Sequence, residues 1–225
     1  MTTLQYRVRT NLLLLAALVV TSSFARAEQV YFSEINYHPK DGKPEFIEIL
    51  NQSASAIDFA NWRLSDGVDY EFPDFAEGNP QRTFMCSFER ILVSSVNEAT
   101  LRAAYPTIPA GVKVFGPWTG ALSNGGENIL LEDKNGVYVN STDYRDSGRK
   151  WPVSADGAGH TLVLINPNGS GSDWRNWGAS AEPHGTPGSG PVQGSDILLS
   201  LSEVHFNAAG DVDWVEVSSS SSAPV

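Results

Sequence analysis

Val30-Tyr31-Phe32-Ser33-Glu34-Ile35-Asn36-Tyr37 is the stretch on which the fold turns. In an extended chain Tyr31, Ser33, Ile35 and Tyr37 fall on one face, and Val30, Phe32, Glu34 and Asn36 on the other. That alternation is the pattern of a half-buried strand, not the three-to-four spacing of an amphipathic helix. Phe46-Ile47-Glu48-Ile49-Leu50 repeats the habit, with Ile47 and Ile49 opposite Phe46 and Glu48. Further out, short strands are predicted over 62–64, 70–72, 90–94, 112–115, 128–132, 137–144 and 161–165. Turn signals separate them: Asp41-Gly42, Asp66-Gly67, Asn124-Gly125-Gly126, Asn135-Gly136 and Asp156-Gly157. Many short strands punctuated this way indicate a sandwich or barrel. A single helix is predicted, capped by Asn97, running over 98–104 and closed by Pro106. Two turns of helix make a connector, so the fold class is all-β.

The ends of the chain set its compartment and organisation. Arg7 and Arg9, the apolar run 12–20 and the small residues Ala25 and Ala27 around Arg26 read as a secretory signal peptide, with cleavage expected after Ala27. The run is too short for a hydrocarbon core that needs roughly 20 apolar residues. The whole chain carries 26 acidic against 15 basic residues, a formal charge of −11. Loss of residues 1–27 removes three arginines and no acid, leaving −14. A surface this acidic repels phosphate backbones, so no nucleic-acid partner is expected. Cys86 is the single cysteine, which excludes an internal disulfide. Set between Met85 and Phe88, it reads as a small core residue.

Gly185-Thr186-Pro187-Gly188-Ser189-Gly190-Pro191 has the composition of a flexible linker. Beyond it the opening pattern returns. Ser33-Glu34-Ile35-Asn36-Tyr37 is matched by Ser202-Glu203-Val204-His205-Phe206, and Glu45-Phe46-Ile47-Glu48-Ile49 by Asp213-Trp214-Val215-Glu216-Val217. A strand-pair pattern recurring after a full domain length indicates tandem domains. The expected organisation is a signal peptide over 1–27, a sandwich over 28–184, a linker over 185–196, and the start of a second, truncated domain over 197–225.

Taken in order, these residues resemble a known family. Ser33 to Pro39, Glu45 to Ile49 with Asn51, Ile57-Asp58-Phe59 and Asn61 to Gly67 resemble the opening half of a bacterial, exported lamin-tail domain. Leu122 to Glu127, Trp151-Pro152, Asp156 to Leu162 and Gly185 to Gly188 resemble its closing half. The resemblance implies an immunoglobulin-like β-sandwich used as a non-catalytic module, appended to larger exported or surface proteins. It departs over 76–90, where the glycine-containing turn expected before Ile91-Leu92-Val93 is missing.

Several constellations invite chemistry. His38, His160, His184 and His205 are scattered without ligand spacing, so no metal site and no cofactor are expected. Ser170 lies between glycines but outside any nucleophile elbow. Glu34 and Glu48, repeated as Glu203 and Glu216, are the strongest acid–base candidates. The structural alternative has both on one sheet face, accepting hydrogen bonds or pairing with Arg63 or another base, and recurrence in a tandem scaffold favours it. Asp66, Asp69, Glu71, Asp74 and Glu77 form an acidic strip of calcium-type ligands without the spacing of a calcium loop. Of Trp62, Trp118, Trp151, Trp174, Trp177 and Trp214, the pair Trp174 and Trp177 is the candidate for stacking on sugars if solvent-facing. Asn51, Asn140 and Asn168 each fit an Asn-x-Ser/Thr sequon.

The expectation is a secreted or cell-surface adhesion or scaffolding module of a larger protein, without catalytic residues, whose partner is an unknown protein or glycan. The alternative is an accessory, substrate- or glycan-binding domain of an exported enzyme whose catalytic part lies elsewhere. A third reading makes the domain itself a hydrolase using Glu34 and Glu48.

Overall fold

The computed structural model describes residues 30–74, 83–146 and 151–190, together with the backbone of 199–205 and 214–219. The proposed signal peptide and Glu77 lie outside the described residues.

Two sheets face one another. The larger contains β1 (Val30–Asn36), β2 (Phe46–Asn51), β7 (Arg90–Ser94), β8 (Lys113–Phe115), β12 (Leu162–Leu164) and β13 (Trp177–Ala179), in the order β13-β12-β1-β2-β7-β8. The smaller contains β4 (Arg63–Asp66), β5 (Val68–Glu71), β9 (Thr119–Gly120), β10 (Gly126–Glu132) and β11 (Tyr138–Arg145), in the order β11-β10-β4-β5-β9. A two-residue pair, β3 (Ile57–Asp58) and β6 (Phe84–Met85), lies outside both. Pairing is antiparallel except between β7 and β8. The chain is thus an all-β, immunoglobulin-like sandwich, and among the described residues it has one short α-helix, α1 (Glu98–Ala104). Its cap is the expected one: Asn97 Oδ1 accepts the Thr100 amide at 2.9 Å.

The opening strand departs from strict alternation. A register shift between Phe32 and Glu34 marks a β-bulge in β1. One extra residue reverses the phase of the side chains. Val30 and Phe32 therefore share the core with Ile35 and Tyr37, and Phe32 does not lie on the same face as Glu34. The bulge is fixed from the other sheet, where Asn140 Oδ1 accepts the Phe32 amide at 3.3 Å.

Both faces of the larger sheet are buried. Ile47, Ile49, Ile91 and Val93 face the smaller sheet, meeting Leu64, Ile129 and Leu131. On the outer face Phe46, Leu92 and Val114 pack under Leu101 of α1, with Tyr105 and Ile108 from the segment that follows. The short helix is therefore a cover as well as a connector. Cys86 is exposed, contrary to the core reading. Met85 takes the inward position of its two-residue strand, and alternation turns Phe84 and Cys86 outward.

In the C-terminal region β14 (Leu199–His205) pairs antiparallel with β15 (Trp214–Ser219). The register sets Glu203 opposite Glu216 and shifts between Leu201 and Glu203. In β1 and β2, Glu34 stands opposite Glu48 with the shift at the corresponding place. The backbone of the second hairpin thus repeats the first, bulge included.

Candidate functional site: a buried glutamate pair under a glycine strap

Like charges placed directly opposite on antiparallel strands repel. Glu34 and Glu48 are such a pair, and both are fully buried, at 0 % exposure. The bulge at Ser33 turns Glu34 onto the outer face of the larger sheet, where regular alternation in β2 already sets Glu48 beside Phe46. What covers them there is the segment after β13, through Thr186 and Gly188.

Each carboxylate meets a dense set of donors. Glu34 Oε1 accepts the Thr161 hydroxyl at 2.6 Å and the Thr186 amide at 3.0 Å. The Thr186 hydroxyl lies 3.5 Å from Glu34 Oε2. Glu48 Oε1 accepts the Ser33 hydroxyl at 2.6 Å and forms an ion pair with Arg90 Nε at 3.1 Å. Glu48 Oε2 accepts the Gly188 amide at 2.7 Å. Two backbone amides of the strap, two residues apart, are therefore distributed one to each glutamate.

Glycine is required where the strap touches them. Gly185, Gly188 and Gly190 have φ of 73°, 82° and 82°, in the left-handed region. A Cβ on Gly185 would fall on Glu34 Oε1, and one on Gly190 would sit 2.7 Å from Arg90 Cζ. The turns are closed locally by Gly185 N–H to Glu182 O at 3.1 Å and Ser189 N–H to Thr186 O at 2.9 Å. Pro187 and Gly190 are buried. Residues 185–190 are thus packed against the sheet and do not behave as the flexible strip their composition implies. Composition reports the scarcity of apolar atoms; here backbone amides meeting buried carboxylates hold the segment instead. The remainder of the expected linker, 191–196, lies outside the described residues.

Burial pushes the Glu34 carboxyl up to about 7, and the neighbouring charge of Glu48 adds to the shift, while the hydrogen bonds from Thr161 and Thr186 oppose it. Burial also raises Glu48, against the opposing effects of Ser33, Gly188 and Arg90. Arg90 compensates one negative charge of the pair, and burial favours the neutral form of Glu34 over a second buried charge. A lesser version of this arrangement holds the loop after β9. Glu45 Oε2 accepts the Leu122 amide at 3.1 Å and Glu127 Oε1 the Ser123 amide at 2.6 Å, and burial raises Glu45 to about 6.

The other sequence candidates do not converge on this pair. Arg63 forms a two-pronged contact with Asp69, at 3.0 and 2.8 Å, so the base beside the glutamates is Arg90. Asp66 accepts Asn128 Nδ2 at 2.7 Å, and among the described residues no group of three or more His, Cys, Asp or Glu is arranged to hold a metal ion. His38 pairs with Asp156 at 2.7 Å, His160 Nδ1 lies 2.8 Å from Ser180 O, and the His184 amide donates to Gly159 O. Ser170 is exposed in a loop. Trp177 is buried, donates to Gly171 O at 2.7 Å and lies 6.2 Å from Trp151, while Trp174 packs partly buried against the core. Trp177 is therefore closed to a sugar, and the half-buried ring of Trp174 lies under the Arg175 guanidinium, 5.0 Å from its centroid, so the two do not form a paired exposed platform. Asn51 and Asn140 are buried and Asn168 is exposed.

The partners that sequence reasoning missed are Ser33, Arg90, Thr161, Thr186 and Gly188. The signal for the last two was Gly-Thr-Pro-Gly itself, whose left-handed turns expose amides. An open groove of about 330 Å³ runs between the end of α1 and the strap, lined by Lys43, Tyr105, His184 and Thr186; the two glutamates do not line it.

Comparison with known proteins gives one assignment. The family model described as Lamin Tail Domain matches residues 24–179. No curated protein matches the chain.

Proposed function

The chain belongs to the lamin tail domain family, and on that premise we propose that it serves as an exported adhesion or scaffolding module of a larger, multidomain protein. The family is one of immunoglobulin-like, non-catalytic domains. The observation that carries the reading is the state of the only paired carboxylates the sequence nominated for catalysis. Glu34 and Glu48 are fully buried, and their oxygens are occupied by the strap, by Thr161, by Ser33 and by Arg90. A general acid and base must reach a substrate proton. These reach only the chain that covers them, so they serve the fold.

The hairpin of β14 and β15 is read as the start of a second sandwich, because it repeats the bulge and the opposed glutamates of the first. Tandem sandwiches separate or present other domains. Among the described residues no helix is long and apolar enough to cross a membrane, and export rests on the signal-peptide pattern of residues 1–27. The burial of Trp177 weakens the glycan-binding alternative that pairs it with Trp174. The partner on this reading is a protein or glycan at the cell surface.

Two measurements test the reading. Expression with the native N-terminus in an exporting host should yield a protein outside the cytoplasm that begins at Glu28; a cytoplasmic product retaining residues 1–27 contradicts export. Screening the purified protein against glycosides and phosphoesters should show no turnover. Turnover lost on Glu48→Gln would make the domain a hydrolase.

A further inference from the structure

A second groove lies between β11, the edge strand of the smaller sheet, and the loop that joins β12 to β13. Tyr138 and Ser141 line it from β11, and Pro167, Asn168 and Ser170 from the loop. Its volume, about 370 Å³, is that of a small-molecule site. The loop wall is held in place. The buried Asn176 side chain donates to Ser170 O at 2.8 Å and accepts Asn166 Nδ2 at 3.0 Å. Gly169 and Gly171 allow the close approach: a Cβ on the first would strike the Asn176 amide, and one on the second the Ser141 carbonyl. Trp177 anchors the same loop from the core through its bond to Gly171 O.

The lining selects the ligand, because it carries no charged side chain. Around it, Asp143 is paired with Arg145 at 2.6 Å and Asp173 with Arg175 at 3.2 Å. Glu132, opposite Tyr138 on β10, accepts the Ser65 hydroxyl at 3.0 Å. Lys134 lies in the turn before β11 and does not line the groove. An anion would find no cation in the lining, within a chain whose formal charge is −11. A cation would find the adjoining carboxylates already engaged. A wholly apolar ligand would cover the Ser141 and Ser170 hydroxyls and the Asn168 amide without replacing their water. Strand addition by an extended peptide is blocked, since the Asp143 amide donates to Ser172 Oγ at 3.1 Å and Gly171 lies against the Ser141 carbonyl. A neutral, hydroxyl-bearing ligand with one apolar face meets every condition: Tyr138, 51 % exposed, offers the ring for that face.

We propose that this groove binds a neutral saccharide, with one sugar ring stacked on Tyr138 and its hydroxyls bonded to Ser141, Asn168 and Ser170. The proposal rests on the reading of the chain as a surface module and chooses the glycan as its partner.

Isothermal titration of the purified chain with maltotetraose, cellotetraose, mannotetraose and N-acetylchitotetraose should show millimolar or tighter binding to at least one of them. Tyr138→Ala should weaken that binding about tenfold or more with an unchanged thermal midpoint, and Asn168→Ala should weaken it as well. Tyr138→Phe, which keeps the ring, should retain it, and so should Phe88→Asn, which removes an exposed ring elsewhere. A chain that binds none of these sugars, or a Tyr138→Ala variant that binds like the parent, overturns the site. Binding confined to an anionic oligosaccharide such as tetragalacturonate overturns it equally. An exported, inactive chain that binds no sugar loses only this site, whereas a cytoplasmic or hydrolytic one contradicts the module reading whatever the groove binds.

Discussion

Left-handed backbone recurs along the described chain, and two of the segments that use it, the strap at 185–190 and the turn at 84–88, do so in opposite ways. The strap at 185–190 uses glycine at each such position, because a Cβ would collide with Glu34 at 185, with Val112 at 188 and with Arg90 at 190. The turn at 84–88 uses phenylalanine, because position 88 points outward and nothing obstructs a side chain there. At the strap glycine lets the backbone press against its own neighbours, whereas at position 88 the side chain stands in water.

The contrast can be broken most sharply at the strap. Arg90→Ala leaves Glu48 buried without its cation and should destabilise the sandwich by about 4 kcal/mol in urea unfolding. Gly185→Ala forces the strap off Glu34 and should cost about 3 kcal/mol, with faster amide exchange at Thr186 and Gly188 as the local signature. If both variants unfold like the parent, the glutamate pair does not hold the strap.

The pH dependence follows from the direction of the Glu34 shift. Its folded value, about 7, lies above its ordinary value of 4.5, so the native state binds more protons between those values. The contribution is fully present below pH 4.5 and is lost as pH rises through 7, amounting to about 3 kcal/mol. Glu45, raised to about 6, acts with the same sign over a lower window. Urea midpoints measured from pH 4.5 to 8 should therefore fall as pH rises. Glu34→Gln, which mimics the protonated carboxyl, should flatten that slope and gain about 1 to 2 kcal/mol above pH 7 while changing little at pH 4.5. At the turn the expected stability effect is the smallest. Phe88→Asn should move unfolding by no more than about 0.5 kcal/mol, because the ring it removes is mostly in water.

Much of the sandwich was legible because alternation is a local property. Seven predicted strands correspond, within a few residues, to β4, β5, β7, β8, β10, β11 and β12, and the helix and its Asn97 cap fall where composition put them. The missed elements, β3, β6, β9 and β13, are two or three residues long, too short to show a period. The bulge was also missed, since inserting one residue leaves no mark in composition and is visible only when a partner strand fixes the count. The site was half legible. Glu34 and Glu48 stood out by recurrence, but Arg90, Thr161 and Thr186 are 56, 127 and 152 positions from Glu34 or closer only through the fold, as the hydrogen bonds from Thr161 and Thr186 show.

By itself the sequence determined the fold class, the family and the recurrence of an opening hairpin, since each rests on neighbours along the chain: polar and apolar residues in turn, glycine at turns, the same motif twice. Only the tertiary structure decided what the glutamates do. Two carboxylates read as acid–base groups or as scaffold until the element lying over them is known, and that element is a glycine-rich strip whose composition reads as a linker. It packs because two amides meet two buried carboxylates across the sheet, a complementarity of position that no local pattern encodes.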